Sequence, residues 1–87
     1  MVSYRIEWKQ SARKELKRVE RGALERILTA VESLAANPRP AGCRKLVGTS
    51  GAYRIRAGDY RVLYTIVEDR LIVEIIRVGH RSAVYRQ

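Results

Sequence analysis

The stretch that decides the fold is "YRIRAGDYRVLY", residues 53 to 64. Apolar or aromatic residues alternate with arginines on both sides of Gly58-Asp59. Period-two alternation around a Gly-Asp pair reads as a β-hairpin. Alternation puts Arg54 and Arg56 on one face of the first strand, and Arg61 follows the turn on the second. If the hairpin is tight, positions 54 and 56 share a face with 61, 63, 65 and 67. One ribbon then carries three arginines, with three tyrosines among them and one acid, Asp59, in the turn.

Downstream, Tyr60–Glu68 and Leu71–Val78 hold large apolar residues on both faces, as central strands do. Glu68-Asp69-Arg70 is the turn between them, and a short strand is expected near Lys45-Leu46. Upstream, Val2, Tyr4, Ile6 and Trp8 alternate with polar residues, the pattern of a half-buried strand. Ser11 is placed to cap a helix with Ala12, Leu16 and Val19 on one face. After Gly22, the residues Leu24, Ile27, Leu28, Val31, Leu34 and Ala35 follow helical spacing, and Asn37-Pro38 closes that helix. Arg39 to Arg44 is a Pro/Gly loop. The expectation is one α+β domain over residues 1–87, in the order β-α-α-β-β-β-β, with two helices on one face of a twisted antiparallel sheet. The other face is left exposed or filled by a partner.

A chain of 87 residues with 46% hydrophobic and 31% charged content is globular rather than disordered. Its net charge of +9 calls for a polyanionic partner, either nucleic acid or an acidic protein. Cys43 is the only cysteine, so no internal disulfide forms, which suits a reducing cytosol. No signal peptide is apparent, and no apolar run approaches the ~18 residues of a membrane span, so a cytoplasmic protein is expected.

One cysteine and one histidine exclude a Cys/His zinc site. The nine acids form no cluster spaced for Mg²⁺, and Glu15, Glu25 and Glu32 fall on polar helix faces as solvated groups. "VGTSG" is a plain turn, with no phosphate loop in the chain. Neither metal nor cofactor is expected. His80 stands alone, which excludes a paired-histidine ribonuclease.

Arginine and tyrosine remain. RNA cleaved through its own 2′-OH needs no protein nucleophile. It needs positioning, stabilisation of a phosphorane dianion, and proton transfer. Guanidinium groups serve the first two. A tyrosine among arginines is pushed toward the phenolate and becomes a workable base. "RVGHRSAVYRQ" at the C-terminus supplies Arg81 and Tyr85 beyond the last central strand.

These segments resemble RelE-type toxins of the RelE/ParE toxin–antitoxin superfamily. The resemblance covers nearly the whole chain: "YRIEWKQSARKELKRV", "LAANP", "KLVG", "YRIRAGDYRVLYTI" and "VGHRSAVY", in order. It implies a ribosome-dependent endoribonuclease, an mRNA interferase that cuts message in the ribosomal A site. It also implies an acidic RelB-like antitoxin as partner in a hetero-oligomer, and a first strand lying beside the last. The family's functional positions fall on Arg54 and Arg56, Arg61, Arg81 and Tyr85. The well-known bacterial form has lysines where this chain has Arg54 and Arg56. Arginine holds its proton, so these two are expected to grip RNA backbone, and the base role passes to Tyr85. His80 is a further candidate, with a structural role at the turn as its plainer reading. A non-nuclease ParE-like toxin acting on DNA gyrase, and a simple basic binding module, are the rival readings.

Overall fold

The computed structural model describes residues 3–48 and 51–80. The chain runs β1 (Arg5–Trp8), α1 (Gln10–Leu16), α2 (Arg21–Ser33), β2 (Arg44–Lys45), β3 (Ala52–Ala57), β4 (Tyr60–Val67), a 3-10 turn (Glu68–Arg70) and β5 (Ile72–His80). One five-stranded sheet has the order β1-β5-β4-β3-β2. The meander from β2 to β5 is antiparallel, and β1 lies beside β5. That outer pair is parallel, so the sheet is mixed rather than wholly antiparallel. Parallel neighbours require a long crossover, and α1 with α2 begins the one that leads away from β1. Among the described residues no helix is long and apolar enough to cross a membrane.

The hairpin is as tight as its alternation implied. Ala57 pairs with Tyr60, leaving Gly58 and Asp59 as the loop. Gly58 takes φ 64°, the left-handed value that such a turn demands of its first loop residue. The buried face of the sheet presents Ile55, Ala57, Val62, Tyr64, Val73, Ile75 and Val78. Ala12 of α1 and Ile27, Val31 and Leu34 from the α2 region close the core over it. Leu34 caps α2, which ends at Ser33, before Asn37-Pro38.

Tyr64 sits at the centre of the sheet, fully buried. Its hydroxyl donates to the Pro38 carbonyl at 2.7 Å, and its ring stacks on Tyr53 with centroids 5.9 Å apart. Burial raises its pKa well above the ordinary tyrosine range. Nearby, on the surface, Arg39 bonds both Tyr53 and Glu68, and Tyr4 donates to Glu68. Those two donors, Tyr4 first, hold the Glu68 carboxyl below its ordinary range.

Two expectations for α1 are corrected. Ser11 caps nothing: the cap position is Lys9, with no side-chain bond, because α1 starts one residue before Ser11. The Ser11 hydroxyl donates instead to the Ile76 carbonyl at 2.8 Å. Glu15, expected to be solvated, is half-buried against β5. One of its oxygens accepts from the Val78 N–H at 2.7 Å, and the other accepts from the Arg77 guanidinium at 2.9 Å. The reason lies in the sheet. β1 pairs with β5 only through Ile75, where the Lys9 N–H takes the last carbonyl. Leu63 then faces Arg77 and Tyr64 faces Ile75, so Ile76 is an extra, bulged residue. Ser11 and Glu15, one helical turn apart, satisfy the edge that β1 no longer covers. Glu15→Ala should therefore cost about 1.5–3 kcal/mol, against less than about 0.5 kcal/mol for Glu25→Ala on the exposed face of α2. Urea unfolding midpoints of the two variants check this.

Candidate functional site

The register of the sheet assembles the arginines. Arg56 stands directly opposite Arg61, and Arg54 opposite Leu63. On the other side of β3, Arg44 stands opposite Arg54. Cross-strand partners share a face. Arg44, Arg54, Arg56 and Arg61 therefore lie together on the face turned away from the helices. They line one cleft of about 540 Å³, which Ala30 and Ser33 of α2 and the 40–42 loop also border. No acid lines it.

Two of these pairs, Arg56–Arg61 and Arg44–Arg54, oppose like charges across adjacent strands. Such pairs are destabilising, by roughly 0.2–1 kcal/mol each. A fold that only needed solubility would interleave signs. Three arginines elsewhere do meet acids: Arg5 pairs Glu7, Arg39 pairs Glu68 and Arg77 pairs Glu15. Four arginines gathered in one cleft make that cleft a candidate binding site for anions.

His80 is not in the cluster. It pairs across the ladder with Tyr60, whereas Arg61 pairs with Gly79. It thus lies on the helix side, its ring edge-on to Tyr60 at 5.8 Å. Arg81 and Tyr85 lie outside the described residues. Among the described residues no three His, Cys, Asp or Glu side chains come together to hold a metal. Sequence reasoning missed Arg44, which sits at the end of a Pro/Gly loop in a strand too short to show alternation. It also missed a groove on the helix side. There Trp8, Leu16, Leu24 and Leu28 line an apolar depression edged by Arg13 and Lys17. Leu24 and Leu28, which share the apolar spacing of α2, stay partly exposed and outside the core cluster.

The charge argument has a direct consequence. Arg56→Thr removes one member of a repelling pair and inserts a good strand former. It should stabilise the domain by roughly 0.2–1 kcal/mol while weakening its hold on polyanions. Thermal unfolding and heparin retention, measured on the same preparation, check the two signs together.

Comparison with known proteins agrees with this fold. Residues 6–85 match the model of the ParE toxin of the type II toxin–antitoxin system, parDE. A putative toxin RelE1 of Methanocaldococcus jannaschii is 27% identical over 88 residues, covering 98% of both chains. The mRNA interferase toxin RelE of Escherichia coli K12 is 27% identical over 90 residues, covering 99% of this chain and 94% of the relative. Among solved structures, that of the archaeal RelE–RelB complex from Pyrococcus horikoshii superposes with a TM-score of 0.81 at 27% identity, over 99% of this chain and 100% of that one. With a family model matching nearly its whole length, and a fold shared with RelE toxins, the chain belongs to the ParE/RelE toxin family of type II toxin–antitoxin systems.

Proposed function

We propose that this toxin is an endoribonuclease that cuts mRNA in the ribosomal A site, using the RNA's own 2′-OH as nucleophile. The observation that carries the reading is the cleft lined by Arg44, Arg54, Arg56 and Arg61, with no acid among its described lining residues. The name of the E. coli relative, an mRNA interferase, supports the same chemistry.

In this reading Arg54 and Arg56 hold the backbone by bidentate contacts to phosphate oxygens. Arg61 and Arg81 face the scissile phosphate and stabilise the charge that grows as the 2′-oxygen attacks. Tyr85, as its phenolate, removes the 2′-OH proton; the 2′-oxygen bonds to phosphorus, the P–O5′ bond breaks, and the leaving 5′-oxygen takes a proton from water. No guanidinium acts as the base, because arginine does not give up its proton at neutral pH. No step needs a metal. With so little acid–base machinery, the free enzyme cuts slowly. The ribosome supplies the alignment, a contribution of ~7–11 kcal/mol in well-oriented systems. The partner is an acidic, RelB-like antitoxin, and the toxin is cytoplasmic.

Single-turnover cleavage of message on programmed ribosomes tests the assignment. Arg61→Ala should lower the rate by ~10²–10³, and Tyr85→Phe by ~10²–10⁴. His80→Gln should be mild. A Phe variant that cuts at wild-type rate removes Tyr85 from the base role.

The helix-side groove fits the antitoxin. Its apolar floor suits one face of an amphipathic helix, and its Arg13 and Lys17 rim suits acidic flanks. Leu28→Asp should leave cleavage intact and weaken capture by the antitoxin, read as growth arrest that co-expression no longer relieves. Relief equal to wild type removes the groove from the interface.

The family model matched here is named for ParE, which keeps one second reading alive: a toxin that acts on DNA gyrase. Broken chromosomal DNA with intact message after induction would select it.

A further inference from the structure

β2 is two residues long, so it pairs only with Tyr53 and Arg54. Beyond Arg54, the outer edge of β3 at Ile55–Ala57 has no strand partner among the described residues. A sheet edge left bare exposes backbone donors and acceptors. Here the cleft lies along it. Its far wall is built from small side chains: Ala30 of α2, and Pro40, Ala41 and Gly42 of the loop. Its near wall is Ile55 with the arginines. Arg44 is exposed and makes no ion pair among the described residues. The slot is thus apolar at its sides, cationic along its mouth, and of a volume that accommodates a nucleotide.

Resting on the RNA reading above, we infer that this slot is a nucleotide subsite, in which Arg44 grips a backbone phosphate adjoining the one at Arg61 while the base lies against Pro40 and Ala41. Arg44 is then a binding residue beyond the set that performs the cleavage. Its cross-strand position supports the role: Arg44 stands opposite Arg54 on the neighbouring strand, and both line the cleft, within reach of one phosphate. Arg56 and Arg61 repeat the arrangement on the inner side of β3. The RNA backbone therefore crosses β3 obliquely, from one arginine pair to the other.

The test is fluorescence anisotropy of a labelled single-stranded RNA hexamer, titrated with the full 87-residue chain over a range of salt concentrations. Arg44 and Ala41 are both exposed, so substitution there spares the core, and circular dichroism confirms the fold. Arg44→Ala should weaken binding about tenfold and reduce the log–log salt slope by about 0.7, the loss of one single-strand phosphate contact. Ala41→Trp plugs the slot without touching charge; it should weaken binding and leave the slope unchanged. Arg70→Ala, in the 3-10 turn, should match wild type. If Arg61→Ala weakens binding while Arg44→Ala and Ala41→Trp match Arg70→Ala, the subsite is wrong and the RNA reading stands. If wild type and Arg61→Ala bind alike, the RNA reading falls and the subsite with it. If Arg44→Ala keeps its hold on RNA but loosens the antitoxin complex, Arg44 serves an acidic protein, and the inference is overturned.

Discussion

The far end of β5 is held, on the side away from β4, by a carboxylate instead of a neighbouring strand. The Val78 N–H would face solvent past the end of β1 were it not bonded to Glu15. The same carboxylate takes the Arg77 guanidinium, and Ser11 takes the carbonyl of the bulged Ile76. α1 therefore serves as a side-chain substitute for a strand. It lets β5 run to His80 while β1 stops at Trp8. The helix that closes the core also secures the far end of β5.

The second organising feature is a cost accepted locally. Two pairs of arginines stand opposite each other, Arg44 with Arg54 on one side of β3 and Arg56 with Arg61 on the other. Small domains have little stability to spare, since one of this length buries only about 60–65% of its unfolded surface. A ligand that carries negative charge would relieve the repulsion between like-charged neighbours. In the proposed reaction the relief is greatest where negative charge is greatest, at the pentavalent phosphate. The same electrostatics that destabilise the empty face favour the transition state over the ground state.

Much of this was legible in the residues. Alternation around Gly58-Asp59 placed the hairpin, and two-sided apolar content placed β4 and β5 inside the sheet. Resemblance placed β1 beside β5. The parallel sense of that pair was not legible, because strand direction across a helical crossover leaves no local pattern. Nor were the roles of Ser11 and Glu15. Both read as ordinary polar helix residues, since their partners are backbone groups more than sixty residues away. Arg44 escaped notice because two residues are too few to show a period. His80 looked close to the cluster in sequence, but the pleat turns it to the helix side, and only the register reveals that.

The central claim is that the arginine face promotes attack by a neighbouring 2′-OH. That chemistry leaves a signature on the product: the downstream fragment carries a 5′-hydroxyl, and the upstream one a 2′,3′-cyclic phosphate. The most direct measurement is the end chemistry of message recovered from programmed ribosomes incubated with the toxin. The account predicts 5′-hydroxyl ends, and no cutting when a single 2′-deoxynucleotide replaces the ribonucleotide at the cleavage point. Downstream fragments with 5′-phosphate ends, or cleavage that survives the 2′-deoxy substitution, would contradict it.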